Sequence, residues 1–175
     1  MFFEPFVLNA QQEKVHVDIV EMTDEDAEET VNSLPKWQTA WTSKYISNRK
    51  YMKYAAKIGS ELIALVAYEI SEILIVHIVY MEAQPASNPT LDKGNPKYTG
   101  IGRMLVAYGI KLSIDNELRG EVLLEAKTTE LAHHYERDFG AVRTAHSGLT
   151  PQYLIADEAA REIFSTYLEQ EGEIS

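Results

Sequence analysis

The chain has 175 residues, 45% hydrophobic and 25% charged, which are ordinary globular proportions and sufficient for one domain with a substantial core. It contains no cysteine, which excludes a disulfide framework, a cysteine nucleophile and thiolate metal sites, and which fits a cytoplasmic protein. The formal net charge of −11 repels phosphate backbones, so nucleic acid is not an expected partner, whereas cations such as amines are attracted.

The leading residues, "MFFEPFVLNA", are apolar but broken by Glu4 and Pro5 and lack a basic flank, so they do not read as a signal peptide or membrane anchor. Lys14–Met22 alternates apolar and polar residues and reads as a half-buried strand. Thr23 or Asp24 then caps a short acidic helix through Leu34, stopped by Pro35. In "KWQTAWTSKYI" (Lys36–Ile46), Trp37, Trp41 and Tyr45 recur every fourth residue, which predicts a helix with an aromatic stripe. Tyr51–Ile58 reads as strand and Gly59-Ser60 as a turn.

"ELIALVAYEI" (Glu61–Ile70) and "EILIVHIVYMEA" (Glu72–Ala83) are rich in Ile, Val and Leu with little alternation, as central strands covered on both faces are. The longest apolar run, Ile73–Met81, has strand length, so no membrane span is expected. Gln84–Pro96 carries proline, glycine, Asn and Asp and reads as a loop. A helix follows over Gly102–Asn116, with Ile101, Leu105, Tyr108 and Leu112 on one face. Gly120–Lys127 reads as strand, and Thr128–Phe139 as a helix capped by Thr128 or Thr129 and stopped by Gly140. Ala141–Gly148 and Pro151–Asp157 are strand candidates, and Glu158–Gln170 is a closing amphipathic helix. Three consecutive strands followed by strand–helix–strand crossovers predict an α/β fold with a mixed sheet and helices on both faces.

The stretch "KYTGIG" (Lys97–Gly102) places Gly100 and Gly102 at the mouth of a helix, where a single Ser or Asp would serve as a cap. Glycine is a poor helix former, so two of them suggest that something approaches the backbone closely. A helix N-terminus bared in this way is an anion site, with the amides of Thr99 through Arg103 directed at a phosphate and Lys97 and Arg103 adding charge. It is not a dinucleotide fingerprint, because position 105 is Leu, nor a Walker loop, because no Gly-Lys-Ser/Thr follows.

"KYTGIGRMLVAYGIKLS" after a long apolar strand, followed by a further strand and "ELAHHYERDFGA", resembles the GNAT superfamily of N-acetyltransferases. The superfamily signature Gln/Arg-x-x-Gly-x-Gly/Ala opens the helix after its fourth strand, and a later helix carries Tyr shortly before Gly. The resemblance covers Glu61 to Gly140 and, more loosely, the rest, and is strongest to small bacterial members with a long Pro/Asn loop before the signature. It implies one domain over residues 1–175, with a mixed, mostly antiparallel central sheet of six to seven strands flanked by helices. It also implies acetyl-CoA as cosubstrate and an amine acceptor as partner, in a monomer or a homodimer. Lys97, Tyr98, Thr99, Gly100, Ile101, Gly102 and Arg103 would then cradle the pyrophosphate, and Tyr80, Met81, Glu82 and Ala83 would pair with the pantetheine amides. In this superfamily that strand splays from its neighbour at a bulge, which makes a slot for the cosubstrate. Lys97 stands where the signature has Gln or Arg, so it lacks a bidentate fork. Gly140 comes one residue later than usual, which leaves Tyr135 and His134 both facing the reacting centre as options.

Acetyl transfer to an amine requires a proton for the departing thiolate, and Tyr135, a phenol protonated at neutral pH, is the candidate acid. The alternative for Tyr135 is packing in the stripe Leu131, Tyr135, Phe139. Glu82 is either a general base or a residue where the strand has reached solvent. His77 reads as a core histidine. His133, His134 and Glu130 match no zinc pattern, so no metal is expected. Trp37, Trp41 and Tyr45 are either core or an aromatic wall beside the acceptor. The function expected is acetyl-CoA-dependent N-acetyl transfer to a primary amine of a small molecule or protein. The alternative is a non-catalytic acyl-CoA-binding sensor or interaction module on the same fold.

Overall fold

A computed structural model of the chain describes residues 2–47, 50–88, 91, 94–144 and 150–169. Its strands are β1 (Phe6–Leu8), β2 (Lys14–His16), β3 (Asp18–Glu21), β4 (Met52–Ile58), β5 (Glu61–Ile70), β6 (Val76–Ala83), β7 (Val122–Glu125), β8 (Val142–Arg143) and β9 (Gln152–Ile155). Its helices are α1 (Asp24–Asn32), α2 (Ile101–Asp115), α3 (Thr129–Phe139) and α4 (Asp157–Ser165), with a 3-10 turn at Pro85–Ser87. Seven strands form one sheet in the order β3-β4-β5-β6-β7-β9-β8, and β6–β7 is its parallel pair among antiparallel neighbours.

β5 explains why the sheet needs cover on both sides. Its residues Ala64, Val66 and Tyr68 pack into a core shared with α2, α3 and α4, whereas Leu65 and Ala67 pack into a second core with Ala27 of α1, Trp37, Trp41 and Ile46. Side chains alternate between faces along a strand, so an unbroken apolar run is buried only if both faces are covered. Gly109 lets α2 lie close on the sheet: a Cβ there would stand 3.0 Å from the Tyr68 ring and 3.2 Å from Val122. At the same contact the Tyr68 hydroxyl donates to the Leu105 carbonyl at 2.6 Å.

α1 is set locally by a capping box, in which Asp26 N–H donates to Thr23 Oγ1 and Thr23 N–H donates to Asp26 Oδ2. Its three first-turn acids complement the positive end of the helix dipole. Lys57 on β4 reaches Asp26 at 2.8 Å and ties the helix to the sheet.

The expected helix over Lys36–Ile46 is absent, and the segment runs as turns and bends. Trp37 and Trp41 are buried, but Tyr45 is 79% exposed, so the three rings do not form one stripe. The amides of Gln38 and Thr39 donate to the Glu82 carboxylate, and that of Trp41 to the Thr30 hydroxyl, in place of helical carbonyls. The expected strand over 14–22 divides at Val17, where the chain leaves a β1–β2 hairpin and joins β4. That hairpin was not legible beforehand; its loop is an Asn turn, with Asn9 Oδ1 accepting from the amides of Gln11 and Glu13. The expected strand over 141–148 is described for 142–143, and residues 145–149 lie outside the described part, as does Gln170 of the closing helix. Among the described residues, no helix is long and apolar enough to cross a membrane.

Candidate active site

The sheet opens where β6 parts from β7. The two pair in parallel through Val76–Ile78 and Val122–Leu124, and no pairing continues beyond. On its other edge β6 stays paired with β5 as far as Ala83, with Val79 as an extra residue between Ile78 and Tyr80. A bulge bends and twists its strand, so the inserted Val79 turns the far half of β6 away from β7. β7 meanwhile keeps its pairing with β9. The result is a cleft of about 150 Å³, lined by Ile78 to Glu82 on one side and Leu124, Glu125 and Lys127 on the other. Thr39 and Trp41 also line it, as do Leu131 and Tyr135 of α3.

The N-terminus of α2 lies next in the chain after the loop that leaves β6. Its cap is Gly100, at φ +85°, a left-handed conformation that side chains other than glycine adopt with strain, and a Cβ built there would meet no atom within 4 Å. No side chain caps this end. The amides of Lys97, Tyr98 and Thr99 are used internally, by Ala86 O, Ser87 Oγ and Leu8 O. The first helical bond runs from Met104 N–H to Gly100 O. Among the described residues, the amides of Gly100, Ile101, Gly102 and Arg103 are therefore left without a partner, one position later than the expected run from Thr99. Open space over a positive φ, beside bare amides at a helix N-terminus, is the setting in which a phosphate binds.

Lys97 and Arg103 contribute differently from expectation. Lys97 Nζ is bound to Glu61 at 2.8 Å, and Gln84 and the Tyr98 hydroxyl converge on the same carboxylate. Lys97 thus ties the loop to β5. Burial pushes the Glu61 carboxyl up, but Lys97 and the other donors outweigh it and hold its pKa below the ordinary value. Arg103 makes two long contacts, 3.3 Å to Asp138 O and 3.4 Å to Thr166 Oγ1, and leans toward the ends of α3 and α4.

Tyr135 is 6% exposed, stacked on Phe139 at 5.9 Å and edge-on to Tyr153 at 6.3 Å. Its hydroxyl has no hydrogen-bond partner among the described residues. Burial pushes the phenol pKa up, so it holds its proton at neutral pH. His134, by contrast, lies outside the cleft lining and pairs with Asp138 on the exposed face of α3. Between the two, the fold brings Tyr135 to the cleft.

Glu82 sits half-buried at the far end of β6, and its carboxylate accepts three N–H groups. Gln38 N donates to Oε2 at 2.7 Å, and Thr39 N and Trp41 Nε1 donate to Oε1 at 3.2 and 3.1 Å. A carboxylate offers about four lone-pair positions, so three of them are already filled. Tyr80, Met81 and Ala83 complete this strand end, with the Tyr80 ring edge-on to Trp41 at 6.5 Å and to Tyr51 at 6.2 Å. His77 is mostly buried, as expected of a core histidine, and burial lowers its pKa despite Glu125 at 3.8 Å.

Glu125 and Lys127 were not singled out from the sequence. They flank buried Ala126 at the carboxyl end of a strand, and in open α/β sheets ligands gather beyond such ends.

No family model and no curated protein sequence matches the chain. Among solved structures, an uncharacterised protein from Bacillus halodurans is similar at a TM-score of 0.61 and 8% identity, over 94% of this chain and 96% of that one. An acetyltransferase from Bacillus subtilis, solved in complex with CoA, is similar at 0.54 and 14% identity, over 81% of this chain and 97% of its own. AAC(6')-Ib, solved with paromomycin and acetyl-CoA, is similar at 0.56 and 16% identity, over 83% of this chain and 96% of its own. At such identities the likeness establishes the fold.

Proposed function

We propose that this chain, whose fold is that of the GNAT N-acetyltransferases, transfers an acetyl group from acetyl-CoA directly to a primary amine. The observation that carries the reading is the juxtaposition of three features. They are the β6–β7 split, a phenol in the cleft between those strands without a partner among the described residues, and the bare amides at the start of α2, where Gly102 lies against the Phe139 ring that stacks on Tyr135.

Acetyl-CoA would supply an activated acetyl thioester. The amides of Gly100 through Arg103 suit its diphosphate, and the open edge of β6 over Tyr80–Ala83 offers backbone groups to an extended amide chain. Tyr135 would donate its hydroxyl proton toward the departing sulfur. The N–C bond forms as the C–S bond breaks, and the proton that the amine sheds on acylation restores the phenol through water. Glu82, expected as a general base, is better suited to holding the Thr39–Trp41 wall in place, because its lone pairs are largely filled.

Two measurements test the reading. Acetyl-CoA should raise the melting temperature by mass action, and a panel of primary amines should drive thiol release. Binding without turnover of any amine would select the acyl-CoA-binding module instead. Absence of both would reject the cosubstrate.

A further inference from the structure

We propose that the acceptor amine carries its own carboxylate, as a free amino acid does, with Lys127 pairing the carboxylate and Glu125 receiving the ammonium. The proposal rests on the acetyltransferase reading of the cleft and names the substrate class.

The charged groups lining the cleft are Glu82, Glu125 and Lys127. Glu82 is satisfied by its three N–H donors and turned toward the Trp41 segment. Glu125 has His77 Nε2 at 3.8 Å as its neighbour, and burial keeps that imidazole neutral at pH 7, so the carboxylate's charge is not cancelled. Lys127 has no carboxylate partner among the described residues, and its contact is the face of the Tyr80 ring, 5.4 Å from Nζ to centroid. Lys127 is exposed at the rim of the cleft, and among the described residues it is the cation that lines it.

Geometry couples the two groups. Ala126 N–H still donates to Pro151 O, so the chain remains extended past Glu125. Residues two apart on extended chain share a face, with Cα atoms about 7 Å apart. Glu125 ends β7 and Lys127 stands at the bend two residues on, and both line the cleft, so opposite charges face one space at a spacing that flexible side chains bring onto one zwitterion. A simple alkylammonium would be drawn by Glu125 and repelled by Lys127. An amine bearing a carboxylate satisfies both, and the Trp41 and Tyr80 rings beside them suit an apolar or aromatic side chain. The ammonium then loses its proton to solvent before the nitrogen attacks.

The test uses the full chain and measures acetyl-CoA-dependent thiol release. The acceptors are phenylalanine, leucine and methionine, each compared with its carboxamide and its decarboxylated amine. At least one acid should exceed its two neutralised counterparts by about three- to fivefold in kcat/KM, the scale of one exposed charge pair. Lys127→Met should collapse that ratio to near one, mainly through the KM of the acid, and Lys127→Arg should restore most of it. Carboxamides or simple amines used as well as the acids would overturn the proposal. So would a preference that survives Lys127→Met, or an acetyl-CoA melting shift with no acid acetylated. Absence of both the acetyl-CoA shift and all thiol release would instead reject the acetyltransferase reading beneath it.

Discussion

Replacing Glu82 by alanine withdraws the acceptor from Gln38 N, Thr39 N and Trp41 Nε1 at once. Hydrogen bonds to an ionised group contribute about 1.5–3 kcal/mol each. Gln38 is exposed and Glu82 half-buried, so water recovers part of the loss, and roughly 1 kcal/mol per bond is a fair discount. The sum is about 3 kcal/mol, and at about 2–4 °C per kcal/mol for a chain of this size the melting temperature should fall by about 6–12 °C. Glu82→Gln keeps a carbonyl for two of the donors and turns its NH₂ toward the third. It should cost about 1 kcal/mol, or about 2–4 °C. Thermal denaturation beside steady-state thiol release separates latch from base. A latch predicts that Glu82→Gln raises the KM of the amine through a loosened wall and leaves the shape of the kcat–pH profile alone. A Glu82→Ala variant that melts within about 1 °C of wild type would refute the latch. A Glu82→Gln variant with unchanged melting and a kcat reduced about 100-fold would return Glu82 to the role of base.

Tyr135→Phe should leave acetyl-CoA binding and folding nearly intact while kcat falls by about 10²-fold, the lower range for acid–base catalysis; full activity in both Tyr135→Phe and His134→Ala would mean that no acid on α3 operates. Gly100→Val should abolish the acetyl-CoA melting shift, since its side chain would fill the open space above the amides; the variant should itself lose about 1–2 kcal/mol from the positive φ, and a retained shift would count against a phosphate there. Burial raises the Asp26 carboxyl pKa, but the Lys57 hydrogen bond and the Thr23 donors outweigh it and leave it below the ordinary value. Because the folded value is the lower one, the stabilisation is full above about pH 4 and is lost as pH falls through the folded pKa. Asp26→Asn should therefore lower the melting temperature at pH 7 and flatten its decline in acid; parallel acid profiles for variant and wild type would contradict this.

The sheet was legible because its evidence is local. β5 and β6 announce themselves as long apolar runs, and the caps of α1, α2 and α3 sit at Thr23, Gly100 and Thr128, each at or within two residues of its sequence expectation. The glycine pair marked the bare amides at the start of α2 by the same local logic, whereas the spacing of Tyr135 reads as packing and the family resemblance alone singled it out. What failed depended on distant partners. The Trp37–Trp41 spacing mimics a helix, but the amides that would build it are claimed by Glu82, more than forty residues away in sequence. Lys97 was aimed at a phosphate because its partner Glu61 lies 36 positions upstream, beyond any local pattern. Glu125 and Lys127 line a cleft because β6 leaves β7 beside them, and that divergence is a property of two strands together.

The reciprocal bonds between Leu8 and Thr99 join the β1–β2 hairpin to the residue just before the amide cradle. Neither strand of that hairpin belongs to the main sheet, so its amides should open to solvent more readily than those of β5. A ligand that fixes the cradle also fixes Thr99, and through it Leu8. Amide hydrogen exchange at residues 6–8 should consequently slow when acetyl-CoA binds, in step with 99–103. The first strand of the chain would thus report occupancy of a site to which it contributes no side chain.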